Sequence, residues 1–305
     1  MNKKINKTIK FLIRPAWRWY AKVSPVQASK VLYKKHFGRK LNLENPRLYS
    51  EKLQWLKLYR YSHNPTITQC VDKFAVREYI TEHGCGSLLN GLIGCWDSVD
   101  EIPWSSLPQK FALKCTHGCH YNIICNDKDK LNIEEAKQKL SKWMSSRYGY
   151  DAVEMIYDDI KPRIICEEYI SSTEGSYPVD YKFSCSYGET KFINVNTERT
   201  DNTVNVDYFT PDWKWIPVSD GLHNSLGQNK IKRPNELDEM IAYAKILSAD
   251  FPFCRVDFYC ENDKIMIGEL TFLPSGGLKH FDPQSYDLEF GALFPIEREY
   301  SNVKN

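Results

Sequence analysis

Apolar positions recur at helical spacing early in the chain and at strand spacing later. The first pattern predicts a helix over Ser50–Tyr59, with Leu53, Trp55, Leu56 and Tyr59 apolar, and another over Thr68–His83. Asn64-Pro65-Thr66 opens the second and Gly84 ends it. Strand-like pieces follow at Leu88–Trp96, Lys110–Cys115, Asn122–Cys125 and Arg163–Ile170. Between them Asn132 caps a predicted helix with Glu134 and Glu135 in its first turn and Ala136, Leu140, Trp143 and Met144 inward. From Asp180 to about Val218 the chain alternates like an antiparallel sheet, and a helix over Asn235–Ala249 leads into a final hairpin. Helices, a small sheet with its helix, then a larger sheet with its helix make an α+β protein.

That hairpin, Cys254 to Gly277, holds the densest chemistry. Val256, Phe258 and Cys260 share one face of its first strand, and Arg255, Asp257 and Tyr259 share the other. Strict alternation groups Ile265, Ile267, Glu269 and Thr271 on the second strand. Charges on apolar strands cost several kcal/mol (order of magnitude) unless partnered, and hard oxygen ligands suit Mg²⁺ shared with a nucleotide. Asp257 and Glu269 share a face only if they oppose one another. Pairing Cys260 with Ile265 would instead set Asp257 against Gly268. The expectation is therefore a three-residue loop, Asn262-Asp263-Lys264, or a bulge with the same effect.

Composition sharpens this in one place. Residues 1–43 carry twelve Lys/Arg and no acid, so the net charge of +2 conceals 29 basic against 39 acidic residues in the remainder. Ile5, Ile9, Leu12, Ala16, Trp19 and Val23 follow helical spacing, with Pro15 expected to kink it. With Trp17, Trp19 and Tyr20, residues 1–40 read either as an anionic-membrane face or as a helix packed on the body. No nucleic-acid motif accompanies the charge. No apolar run approaches the ~20 residues of a membrane span, and no signal peptide is evident. Ten cysteines without a C-x-x-C pair suggest buried thiols in a reducing cytoplasm. The Cys115–His120 cluster lacks a second ligand pair, so zinc is not expected.

A strand lysine, Lys114, followed by a loop with Gly118, can grip phosphates, while Glu167-Glu168-Tyr169-Ile170 ends a strand that can face an adenine edge. These pieces come in a characteristic order: Asn45-Pro46, Glu51–Lys57, Asp72-Lys73, Phe111–Lys114 with His117-Gly118, Arg163–Tyr169, Asp180–Phe183, Arg255–Tyr259 and Gly268–Thr271. In that order and spacing the chain resembles the ATP-grasp superfamily, in particular its TupA-like branch, named for teichuronopeptide biosynthesis.

The resemblance implies an ATP-grasp fold with nucleotide held between two α+β subdomains. Residues 1–60 would form a basic helical extension, 61–110 an N-terminal lobe, 111–170 the small subdomain and 171–305 the large one with the metal site. It implies ATP and Mg²⁺ as cofactors. Lys73, Lys114, Gly118 and Lys182 would contact phosphates, Glu167 to Ile170 adenine, and Glu174 the ribose. Asp257 and Glu269 would be the metal ligands, and Arg255, with Lys182, would stand at the transferring phosphoryl group. Thr271 replaces the usual Asn ligand, and Cys119-His120 replaces small residues in the phosphate loop, which bears on loop closure.

The implied activity is ATP-dependent carboxylate–amine ligation through an acylphosphate. It would join an amino acid or other amine to a uronic acid in bacterial surface polysaccharide, in the cytoplasm or on the inner membrane face. Tyr208–Trp215 could stack a sugar or fill the core. The competing classes are a metal-dependent glycosyltransferase of the same pathway, which lacks its D-x-D signature, and a non-catalytic membrane-associated scaffold.

Overall fold

The computed structural model describes residues 14–172, 177–200, 203–220 and 231–302. Glu174, the expected ribose contact, lies outside them, as does the segment up to residue 13. The strand-forming stretches resolve into two antiparallel sheets. The smaller contains β1 (Leu92–Trp96), β2 (Phe111–Cys115), β3 (Asn122–Cys125) and β4 (Ile164–Glu168) in the order β1-β4-β2-β3. The larger contains β5 (Asp180–Ser186), β6 (Glu189–Thr197), β7 (Asn205–Phe209), β8 (Trp215–Ile216), β9 (Cys254–Glu261) and β10 (Lys264–Thr271) in the order β10-β9-β5-β6-β7-β8. β1 thus joins the small sheet, although it falls in the stretch expected to be a separate lobe.

Each sheet buries one face. Phe111, Leu113, Cys115, Ile164 and Cys166 form a core with Leu140 of the helix Ile133–Met144, which Asn132 caps through Glu135 N–H. Phe183, Ile193, Val195, Val256 and Phe258 belong to the main core, with the helices Tyr49–Leu56 and Leu237–Ser248. The opposite faces of both sheets line one cavity. The aromatic stretch resolves as core: Tyr208 and Phe209 are buried, and Trp213 stacks on Phe209 at 4.4 Å.

Two helices stand where the spacing predicted one. Pro65–Val71 and Val76–Glu82 are separated because Asp72 turns extended and its carboxylate accepts from Phe74 N and Ala75 N at 2.8 and 3.2 Å. Arg163 holds the other oxygen at 2.9 Å and lies over the Phe74 ring. An aspartate that can cap outcompetes helix continuation, which would leave its carboxylate without those amides.

The described part of the basic extension packs on the body. Residues 14–23 are helical, so Pro15 falls inside a helix that continues after it. Arg14 and Arg18 both clasp Asp151, and the Trp17 indole donates to the Asp151 carbonyl at 3.2 Å. Ala21 and Ala28 are buried against Val153 and Met155. Trp19 is 67% exposed and Val23 is exposed beside it. No helix among the described residues is long and apolar enough to cross a membrane.

Burial would raise the Asp151 carboxyl, but hydrogen bonds from Arg14 and Arg18 hold it at about 2 instead of 3.8. A depressed carboxylate stabilises above its unfolded value and loses that contribution as pH falls through the folded one. The extension should therefore stay docked above pH 4 and loosen between pH 4 and 2. Asp151→Asn should loosen it at neutral pH, raising tryptic cleavage at Arg18 and Lys22 up to about fivefold, as about 1 kcal/mol of half-exposed ion pairing requires. Unchanged cleavage would show that Ala21 and Ala28 hold the segment alone.

Candidate active site

The hairpin register decides whether the acids meet. The turn is two residues, Asn262-Asp263, both left-handed at φ 51 and 60, and Cys260 does pair with Ile265. The register then shifts between Ile267 and Glu269, so that Gly268 is an extra residue and Asp257 opposes Glu269 while Arg255 opposes Thr271. The expected juxtaposition arises from a bulge, not from a three-residue loop. The bulge also corrects the face assignment. Ile265 and Ile267 pair with the apolar Cys260 and Phe258, whereas Glu269 and Thr271 cross to the face of Asp257 and Arg255. A side chain at Gly268 would meet the Tyr259 ring at 3.0 Å, which favours glycine there.

On that face a charged cluster forms. Arg255 grips Asp257 through both oxygens at 2.6 Å and reaches Glu269 at 3.3 Å and Thr271 Oγ1 at 3.1 Å. Lys182, directly opposite Asp257 on β5, donates to it at 2.6 Å and to Asp180 at 2.6 Å. Three acids thus meet two bases. Burial pushes the Asp257 carboxyl upward against the pull of Arg255 and Lys182. Burial would raise Glu269 too, but Arg255, Lys182 and Lys73 outweigh it and hold it at about 2. The Glu269 side chain is 48% exposed in the cleft, so water screens part of that pull.

The polar row continues across the sheet from Glu269 through Asp257, Lys182 and Asn194 to Tyr208. There Lys279 donates to the Tyr208 hydroxyl at 2.8 Å and lies 3.5 Å from Asp220. Burial lowers Lys279 to about 8. Asp220 and Lys279 lay in no motif that the sequence reading used.

The small sheet supplies the facing wall. Lys114 pairs with Glu167 at 2.6 Å, and Arg77 reaches the other Glu167 oxygen at 3.3 Å. The Glu167 carboxylate therefore serves these cations. The amide of Glu168 donates to the Gly91 carbonyl and its own carbonyl accepts from Asn90. Tyr169 and Ile170 remain on the cavity wall, with Lys110 over the Tyr169 ring at 5.8 Å. Arg77 sat within the single predicted helix, where nothing distinguished it from a solvated charge.

Lys73 projects from the helix break and donates to the Gly118 carbonyl at 2.6 Å, which ties it to the loop between β2 and β3. Gly118 is packed: a Cβ would fall 2.9 Å from the Tyr121 ring and 3.0 Å from Tyr148. Cys119 meets the Tyr157 hydroxyl at 3.3 Å, and His120 is exposed at φ 61. Lys73, Lys114, Lys182, Arg255, Asp257 and Glu269 all line one cavity of about 730 Å³ between the sheets.

The cluster and the open acid should answer differently to mutation. Asp257→Ala removes the buried partner that Arg255 and Lys182 share, leaving them only Asp180 and the half-exposed Glu269, and should cost about 3–5 kcal/mol in urea unfolding. Glu269→Gln, half open to water, should cost under about 1 kcal/mol. Equal losses would mean that both acids are simply structural.

Among solved structures, an L-amino acid ligase from Bacillus licheniformis is similar over 76% of this chain and 50% of its own, at 13% identity and a TM-score of 0.42. A D-alanine–D-alanine ligase from Bacillus anthracis is similar over 76% and 69%, at 14% identity and 0.43. A carboxyaminoimidazole ribonucleotide synthase from Aspergillus clavatus is similar over 67% and 45%, at 13% identity and 0.40. The matched region thus spans about half the length of the first of these. No curated protein matches the sequence. The family described as TupA-like ATPgrasp matches residues 51–295, and the chain belongs to this TupA-like ATP-grasp family.

Proposed function

We propose that the protein is an ATP-dependent carboxylate–amine ligase that joins an amine to a uronic acid in bacterial surface polysaccharide assembly. The observation that carries this is the cleft itself. Lys114, Lys73 and Arg77 stand on one wall, and Asp257, Glu269, Arg255 and Lys182 face them across a cavity of about 730 Å³. That volume is within the range of nucleotide-sized sites.

The donor set fits Mg²⁺ held jointly with phosphate. Among the described residues no group of three or more His, Cys, Asp or Glu is placed to hold a metal alone. Asp257 and Glu269 offer two carboxylates, and Mg²⁺ commonly takes one or two plus phosphate oxygens. An unpartnered buried oxygen of Asp180 lies beside them. Bound there, Mg²⁺ would neutralise phosphate charge. Lys114 and Lys73 would contact the β- and γ-phosphates, and Tyr169 and Ile170 the adenine. The substrate carboxylate attacks the γ-phosphate, forming a C–O–P bond and releasing ADP. Arg255 and Lys182 lie where that charge develops, and positioning with neutralisation supplies most of the catalysis. An amine then displaces phosphate, forming the amide.

The row beyond Lys182 supports a hydroxylated acid as substrate. Asn194, Asn196, Asp220 and Lys279 give it hydrogen-bonding groups of both polarities. A nucleotide-sugar transferase would leave Lys114 and Lys73 without a role. Exposed Trp19 and Val23 beside Lys22 support an anionic membrane as the place of work, although Arg14, Arg18 and Trp17 are committed to Asp151.

Lys114→Ala should weaken ATP binding about 10–100-fold, since a charge-assisted phosphate contact is worth about 1.5–3 kcal/mol. Its thermal midpoint should shift little, because Glu167 keeps Arg77. Wild-type affinity in that variant would overturn the phosphate assignment. Wild-type protein should sustain ADP production over many turnovers only when a uronate and an amine are both supplied, a uronate alone giving no more than a single turnover. Turnover of a UDP-sugar without ATP would overturn the ligase assignment.

A further inference from the structure

At the end of the cavity beside the 116–121 loop lies a carboxylate whose one charged neighbour among the described residues, Lys57, makes no close ion pair with it. Glu154 lines the cavity and is 4% exposed. No hydrogen bond or ion pair holds its carboxylate among the described residues. Its charged neighbour is Lys57, 2% exposed, whose ammonium reaches only the Ala152 carbonyl, at 3.5 Å. A buried acid left this way is costly, so its retention calls for a partner that arrives from the cavity.

The backbone around it is fixed. Glu154 follows left-handed Val153, φ 57, which the basic extension covers. Its amide donates to the Gly149 carbonyl at 2.7 Å and its carbonyl accepts from Tyr157 at 3.2 Å. Against the carboxylate lies Gly276, where a Cβ would sit 3.6 Å from Glu154 Oε2. Gln54 locks that turn by donating to the Gly276 and Gly277 carbonyls at 2.9 and 3.1 Å. The turn closely follows Glu269 and Thr271 on β10, and Cys119 lies within electrostatic reach of both Glu154 and Glu269. Cys119, Tyr148 and Tyr157 are its other titratable neighbours.

We propose that Glu154 is the amine subsite: it pairs with the ammonium group of the incoming amine and takes its proton. This rests on the ligase reading above and names the place of its second substrate. An ammonium has no lone pair, so it must lose a proton before it attacks. The proton passes to the Glu154 carboxylate, and the free amine attacks the acylphosphate carbonyl. The C–N bond forms, the C–O bond to phosphate breaks, and the second nitrogen proton leaves with phosphate. Glu154 then returns its proton to water. Burial, opposed by Lys57, raises the Glu154 carboxyl to about 7, which suits a base working near neutrality.

The test is calorimetric binding of L-alanine, L-glutamate, L-lysine, ethanolamine and glucosamine to full-length protein saturated with Mg²⁺ and a non-hydrolysable ATP analogue. At least one should bind wild type, and Glu154→Gln should bind it about 10–100-fold more weakly, with nucleotide affinity unchanged. Glu154→Asp should restore part of the loss. In wild type the affinity should rise through about pH 7 as Glu154 ionises, and in Glu154→Gln it should be flat. Because Glu154→Gln strands Lys57, the double variant with Lys57→Met serves if the single one unfolds, and it should show the same loss. Unchanged amine affinity in the variants would overturn the assignment. So would a wild type that binds nucleotide but none of these amines. A wild type that binds an amine through Glu154 yet makes no amide would overturn the ligase reading and leave the subsite standing.

Discussion

One inserted residue governs the chemistry of this protein. Were Gly268 paired in a regular ladder instead of bulged out of it, it would oppose Asp257, and Glu269 and Thr271 would point with Ile265 and Ile267 into the apolar face. The bulge lets the same strand bury isoleucines at its start and present an acid and a hydroxyl at its end. Its benefit is electrostatic. A contact at about 4 Å between unit charges is worth about 4 kcal/mol at an effective dielectric of 20, and Asp257 makes such contacts with both Arg255 and Lys182. A slipped register would forfeit these while leaving the charges buried. The cluster therefore specifies the register as much as the register creates the cluster.

The break at Asp72 does comparable work on the opposite wall. A continuous helix would carry Lys73 around with its turns. By capping Phe74 and Ala75 and pairing with Arg163, Asp72 ends one helix and directs Lys73 to the Gly118 carbonyl. Glu167 plays the matching part inside the small sheet, holding Lys114 and Arg77 extended along the cavity. Both lysines owe their place to an acid, Lys114 by direct pairing with Glu167 and Lys73 through the turn that Asp72 caps.

How much of this was legible follows from where each signal resides. Strand alternation and the Asn-Asp turn mark the hairpin, since both are properties of neighbouring residues. The need for an odd residue could also be reasoned out from Asp257 and Glu269, but not its location, because loop and bulge produce the same facing. Lys114 stood out as a lysine among Phe111, Ala112 and Leu113. Arg77, Lys57, Glu154 and Lys279 did not, since each becomes unusual only through burial by segments far away in sequence. The Asp72 break was hidden because an aspartate inside a helical pattern looks like any exposed polar position. Glu167 could be placed at a strand end near the cleft, but which cations its carboxylate pairs with could not, since Lys114 and Arg77 meet it only in the folded sheet.

The two walls differ in sign, and that difference orients whatever binds between them. On the small-sheet side Lys73, Lys114 and Arg77 outnumber Glu167. At the hairpin cluster of the large sheet Asp180, Asp257 and Glu269 outnumber Lys182 and Arg255, with Lys279 and Asp220 paired farther along. A polyphosphate is drawn to the first wall, and a divalent cation bound to it is drawn to the second. Reversing the molecule would set phosphate against Glu269 and the cation against Lys114, with repulsion at both. The excess acid on the large sheet therefore need not be satisfied by the protein. It is the half of the interaction that the proposed metal–nucleotide complex would complete.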